Sequence, residues 1–178
     1  MFTTLNKLVE YNLCKDKYEH LLKCLGKTQA DDDPLSIRTI LEYNGVYDAI
    51  WALLIDDKSE REIRLFACDL AESVFLHIFR ETYPNSNKLR NAIDVARKYA
   101  NSEVEITQLT EAYLDVYIII KNMYPFEAET YAANAVMWVA SQEPGFFWLA
   151  WDAAWDAYRV NRDSLDEKNI RELLLKYI

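Results

Sequence analysis

Apolar residues along this chain recur mainly at spacings of three and four, the period that places side chains on one face of an α-helix. Leu5, Leu8 and Val9 make a first short face. Leu13, Tyr18, Leu21, Leu22 and Leu25 make the next, and Gly26 stands where the left-handed residue that ends a helix belongs. The polar run from Lys27 to Pro34 is a loop. Ser36 is placed to cap a helix carrying Ile37, Ile40 and Leu41, which Asn44-Gly45 stops. Ala49, Ile50, Trp51, Leu53 and Leu54 form a compact apolar segment, and Asp56-Asp57-Lys58-Ser59 breaks it.

Ser59 with Glu62 reads as a capping box. It opens the longest stripe, through Ile63, Phe66, Ala67, Leu70, Val74, Ile78 and Phe79, which the segment Tyr83-Pro84-Asn85-Ser86-Asn87 ends. A further helix carries Leu89, Ile93, Val95, Ala96 and Tyr99 and dies near Asn101-Ser102. The pattern is then helical from Thr107 to Tyr124, from Phe126 to Ser141 and from Phe146 to Arg159. Ser164 with Glu167 is another capping box, opening a last helix with Ile170, Leu173, Leu174 and Tyr177. The pattern predicts an all-α, single-domain bundle of about nine helices and no strand. We expect residues 1–105 to form one helical half. Residues 106–178, rich in aromatics and alanine, should pack on it as a second half.

Composition supports this. The 178 residues include only 3 Gly and 4 Pro, too few for the turns of an all-β protein. A chain of this length buries roughly 70% of its unfolded surface, enough for a core without disulfides or metal. Hydrophobic residues at 51% and aromatics at 13% exclude intrinsic disorder. The formal charge of −9 argues against direct nucleic-acid binding, which needs a basic face. The longest apolar run, near Val116 to Ile120, is far short of the roughly 20 residues that span a bilayer. Met1 to Lys7 lacks the basic-then-apolar signature of a signal peptide. Cys14, Cys24 and Cys68 form no CxxC pair, so free thiols and a cytoplasmic location are expected.

Residues that carry chemistry are few. Arg64, Asp69 and Glu72 share one predicted helix. They make either an acid/base site or, as the reading we favour, an ion-paired structural cluster reaching Arg90 or Arg97. His20 and His77 are the only histidines. Cys14, His20 and Cys24 share a segment, but ten residues of straight helix would put the two cysteines about 15 Å apart, too far for one ion. We therefore expect no metal site and no cofactor. No nucleophile elbow or Gly-rich phosphate loop is present. Trp148, Trp151 and Trp155 recur at helical spacing, as core or as an anchor for a partner. Asp31, Asp32 and Asp33, with Asp56, Asp57 and Glu60, sit at predicted helix connections, as solubility charge or as a rim that steers a basic partner.

The segment Arg64-Leu65-Phe66-Ala67-Cys68-Asp69-Leu70-Ala71-Glu72 has a family look. So have Tyr83-Pro84, Lys88-Leu89-Arg90-Asn91-Ala92-Ile93 and Ala96-Arg97-Lys98-Tyr99-Ala100. Together they resemble the helical Imm-5-like putative immunity protein family, found in toxin-immunity loci and among phage proteins. Cys14, Tyr18, Leu21-Leu22, the loop at Asp31, Ile40-Leu41, Asn44-Gly45, Asp48-Ala49 and Trp51 resemble its phage-type members. The likeness is readable over residues 10–105 and continues as alanine-rich helical character, with bulkier aromatics in the tail than the family usually has.

The resemblance implies a non-enzymatic interaction protein that binds and inhibits another protein. That protein is a phage-encoded, anti-defence inhibitor or a toxin immunity protein, acting in the host cytoplasm if phage-encoded. Its partner would be a basic toxin or a nucleic-acid-binding defence protein. The alternative is a small-ligand-binding or enzymatic helical domain built on Arg64, Asp69 and Glu72. Partner residues would come from the acidic positions and the three tryptophans, and the oligomeric state is left open.

Overall fold

The computed structural model describes residues 1–55, 60–79, 85–125, 127–142, 152 and 167–178. Nine helices lie among them: α1 (Leu5–Glu10), α2 (Lys15–Leu25), α3 (Ile37–Asn44), α4 (Val46–Leu54), α5 (Glu60–Ile78), α6 (Ser86–Ala100), α7 (Ile106–Ile120), α8 (Ala128–Val139) and α9 (Glu167–Leu174). The chain is all-α, as its periodicity implies. One feature departs from the pattern. Phe2–Thr3 and Leu35–Ser36 pair as a two-residue antiparallel ribbon, Phe2 opposite Ser36 and Thr3 opposite Leu35. Two residues are too few to show an alternating pattern, so the sequence carries no trace of it.

The residues gather into two compact units, Met1–Ser59 with Leu174–Ile178, and Glu60–Leu173. The expected division at residues 105–106 falls inside the second unit, between α6 and α7.

In the first unit α3 packs against α2 and α4. Leu5, Leu8, Leu21, Ile37, Ile40, Leu41, Ile50 and Leu53 are buried. Ser36 caps α3 as its position suggested, accepting from the Thr39 amide at 3.0 Å. Gly45 separates α3 from α4 at φ +89° and ψ −176°, a region that essentially only glycine enters.

Three helices end in the same hydrogen-bonded closure. After α2 the Lys27 amide donates to the Leu22 carbonyl and the Gly26 amide to the Lys23 carbonyl, with Gly26 at φ +67°. That is the two-bond left-handed cap, and glycine suits it. The same pair of bonds closes α1 at Asn12 (φ +62°) and α6 at Ser102 (φ +60°). Asparagine tolerates the left-handed region, whereas serine pays for its Cβ there.

The second unit is built on α5, and of the stripe its spacing specified Ile63, Phe66, Ala67, Leu70, Val74 and Phe79 are buried and Ile78 is half-buried, with Ala71 and Phe75 buried beside them. α5 packs on α6 and α8, and α7 packs on α6 and α8. α8 thus touches α5, α6 and α7. Its buried face includes Ala132, Ala133 and Ala135, whose small side chains let the backbones approach closely. α7 begins at Ile106, where the Gln108 side chain accepts from the Glu105 amide at 2.8 Å. The helix ends at Ile120, four residues before the Tyr124 its pattern suggested, and a turn over residues 121–123 follows.

Candidate functional site

The polar chemistry of the second unit lies along one row of α5. Glu60, Arg64, Cys68 and Glu72 are each four residues apart, so a 3.6-residue helix stacks them on one face. Asp69 stands beside the row.

Arg64 is buried, with 3% of its surface exposed. Its Nη1 donates to the Val139 carbonyl at 2.7 Å and to the Ser141 carbonyl at 3.0 Å. These are carbonyls at the C-terminal end of α8, the negative pole of that helix, which lack helical donors of their own. Nη2 reaches Glu60 at 3.4 Å, and the guanidinium lies 5.2 Å from the centre of the Tyr99 ring. Arg64 therefore works as a cap, tying the start of α5 to the end of α8.

Arg97, from α6, holds the two carboxylates. Its Nη2 donates to Asp69 at 2.7 Å and to Glu72 at 2.6 Å. All three side chains are half-buried. Burial works against the charged guanidinium, but the hydrogen bonds to Glu72 and Asp69 outweigh it and hold Arg97 above the ordinary arginine range. Of the two candidates for this role, Arg97 takes it. Arg90, about two helical turns away on α6, lies over the Phe75 ring at 5.3 Å.

Cys68 lies fully buried in the row. Burial pushes its thiol up to about 12, with the nearby Arg97 and Arg64 charges opposing that rise. It is therefore protonated and inert at neutral pH.

An open pocket of about 420 Å³ adjoins this row. It is lined by Glu60, Arg61, Arg64, Tyr99, Ser102 and Glu105 among others. Arg61 closes one edge by donating to Asn101 Oδ1 at 2.7 Å. Asp69 and Glu72 do not line it, so the three residues of the suggested acid/base site do not converge on this pocket.

The acidic loop belongs to the first unit. Lys27 Nζ donates to Asp31 at 2.5 Å and to Asp33 at 2.8 Å, and these hydrogen bonds raise the lysine above its ordinary value. The Asp31 carbonyl accepts from the Asn6 amide at 3.1 Å, and its carboxylate accepts from the Asp33 amide. Asp31 is thus part of the scaffold, while Asp32 is exposed. Glu60 is exposed apart from its contact with Arg64. Asp56, Asp57, Trp148, Trp151 and Trp155 lie outside the described residues.

The Imm-5 like putative immunity protein family model matches residues 53–142, about half of the chain. The chain belongs to this family. No curated protein and no solved structure matches it. As an Imm-5-like protein, it carries the family segment from the end of α4 through α8, so Arg64, Asp69, Glu72 and Arg97 all fall within it. An immunity-type protein implies a protein partner. Residues 14–51, with the phage-type resemblance, lie wholly before the matched segment.

Sequence reading could not find the partners of Arg64. Val139 and Ser141 act through backbone carbonyls 75 and 77 positions away, and a carbonyl has no signature in a sequence. Tyr99 and Asn101 were equally unmarked, because helix packing alone brings them to Arg64 and Arg61. Among the described residues no group of His, Cys, Asp and Glu is arranged to hold a metal ion, and no helix is long and apolar enough to cross a membrane.

Proposed function

We propose that this Imm-5-like chain is a non-enzymatic immunity protein that neutralises a cognate toxin by binding it. The observation that carries the reading is the use made of the polar residues in the family segment. Arg97 occupies both Asp69 and Glu72, and Arg64 occupies the end of α8. Groups so engaged hold helices together, and a general acid or base needs a carboxylate aimed at a substrate site instead. The family match supports the immunity role. The family is described as one of immunity proteins, and for that reason we take a cognate toxin as the partner.

The net charge of −9 fits a basic toxin as the partner, approached along a favourable field. Asp32, Asp33 and Glu60 are the exposed carboxylates among the described candidates, Asp33 being paired with Lys27 and Glu60 with Arg64. Such an encounter would take place in the cytoplasm.

The test is protection. Candidate toxins from the genomic neighbourhood of this chain are each expressed in cells with and without it. Growth restored in proportion to the chain's level, with a one-to-one complex on purification, is the expected result. Unchanged toxicity with no complex removes the reading.

The pocket beside Arg64 gives the ligand-binding alternative a specific place. A metabolite that raises the melting temperature of the wild type but not of Arg61→Ala would favour it.

A further inference from the structure

α7 carries apolar side chains on two opposite faces. Leu109, Ala112 and Val116 are buried against the neighbouring helices. Leu114 and Ile118, one turn apart on the other side, are 49% and 60% exposed. A helix on the surface of a domain ordinarily sets polar residues opposite its core stripe. Single exposed apolar residues are common, but here two stand together at the solvent pole, with Tyr117 exposed beside them.

These two residues belong to a longer stripe. Glu111, Leu114, Ile118 and Lys121 are spaced three, four and three apart. That alternation is the 3.5-residue seam along which two helices pack side by side. Lys121 follows the last residue of α7 with helical backbone angles, φ −56° and ψ −21°, so it keeps the register. Glu111 and Lys121 are both exposed, and neither has a charged partner among the described residues. The Lys121 ammonium lies 4.7 Å from the centre of the Tyr117 ring. Asp115, on the flank of the stripe, is paired with Lys88 at 3.1 Å.

The order of the four residues selects what can cover them. An acid, two apolar residues and a base become a base, two apolar residues and an acid when the helix is reversed. A second α7 laid antiparallel on the first, about a two-fold axis level with Val116, sets Leu114 of each copy opposite Ile118 of the other. It also sets Glu111 of each copy opposite Lys121 of the other, because these charges lie ten residues, about 15 Å, apart on both helices. A parallel pair would instead set like charges against each other. The stripe is thus complementary to itself in one orientation, as a closed two-fold contact requires.

We propose that the protein forms a two-fold symmetric homodimer through α7, with Leu114 and Ile118 at the centre and a Glu111–Lys121 ion pair at each end. One helix from each copy is a small contact, so the dimer is a weak one that fills toward sub-millimolar concentration.

The intact protein is followed by sedimentation velocity at low salt, from micromolar to sub-millimolar concentration. The wild type should pass from the mass of one chain to twice that mass. Ile118→Glu should raise the dissociation constant about tenfold or more, because each substitution enters a two-fold contact twice. Ile118 is exposed, so this variant should keep the wild-type urea midpoint. Glu111→Lys and Lys121→Glu should each weaken the dimer, since each sets like charges opposite one another. Mixing these two variants should restore it, because every pair is again of opposite charge. A wild type that stays monomeric throughout overturns the proposal and leaves the face to a different protein. A dimer that Ile118→Glu does not weaken overturns it as well. Mixed variants that associate no better than either variant alone overturn the antiparallel register.

Discussion

Arg64 Nη1 donates to the Val139 carbonyl at 2.7 Å, joining the start of α5 to the last residue of α8. A buried guanidinium that serves two backbone carbonyls and faces a tyrosine ring is a structural device whose loss leaves unpaired polar groups on both sides. Arg64→Leu should therefore cost about 3 kcal/mol of stability in urea unfolding. Arg64→Lys should cost a substantial part of that, because an ammonium lacks the planar fork that serves both carbonyls and the aromatic face. Wild-type stability for Arg64→Lys would contradict this role.

The raised thiol of Cys68 makes a second prediction with a definite sign. The folded protein keeps the proton to about 12, whereas the unfolded chain gives it up near 9.0. Between those values the unfolded state is the one that ionises, so stability present below the unfolded value is lost as pH rises. The contribution falls by about 1.4 kcal/mol per pH unit in that window. Cys68→Ala removes the effect. The stability of wild type relative to Cys68→Ala should thus decline from pH 9 to pH 11 in paired urea titrations. A constant difference would show that Cys68 is not held neutral by the fold.

Much of the fold was legible before the structure. The spacing of Phe66, Leu70 and Val74 specified the buried face of α5, and Ser36 and Gly26 marked the start of α3 and the end of α2. These signals work because they are local: a period, a hydroxyl and a missing Cβ act within one or two turns. Long-range pairings were not legible. Arg90 and Arg97 lie seven residues apart on the same side of α6 and both reach α5, so the choice of Arg97 depends on which level of α5 each one meets: Arg97 meets Asp69 and Glu72, and Arg90 meets Phe75. Lys27 was read only as part of a polar loop, yet it neutralises two of the three aspartates there. His20 Nδ1 meets Asn44 Oδ1 at 3.0 Å, a contact between residues 24 positions apart that no motif announces.

Ser102 offers a stabilising substitution. It holds φ +60° in the closure after α6, a conformation that costs a residue with a Cβ. Ser102→Gly should raise stability by up to about 1 kcal/mol, the strain relieved being partly offset by the greater freedom of glycine in the unfolded chain. Thermal melts of the two proteins decide it, and a lower melting temperature for the glycine variant would show that the serine is not strained.

The acidic loop separates scaffold from contact. Asp31 is bonded to Lys27 and to the backbone at Asn6 and Asp33, whereas Asp32 faces solvent. Asp31→Lys should lower the urea midpoint. Asp32→Lys should leave it unchanged while slowing association with a basic partner and flattening its salt dependence. An Asp32→Lys protein with unaltered association would place the partner elsewhere.

The central claim is that this Imm-5-like protein acts by binding another protein. The most direct measurement is affinity capture of the tagged chain from lysate of its natural host, at low and at moderate salt, with mass spectrometry of what is retained and reassembly of the complex from purified components. The account predicts one stoichiometric protein partner, held at low salt and weakened at moderate salt, as the net charge of −9 requires. Failure to retain any stoichiometric protein at either salt concentration would contradict it.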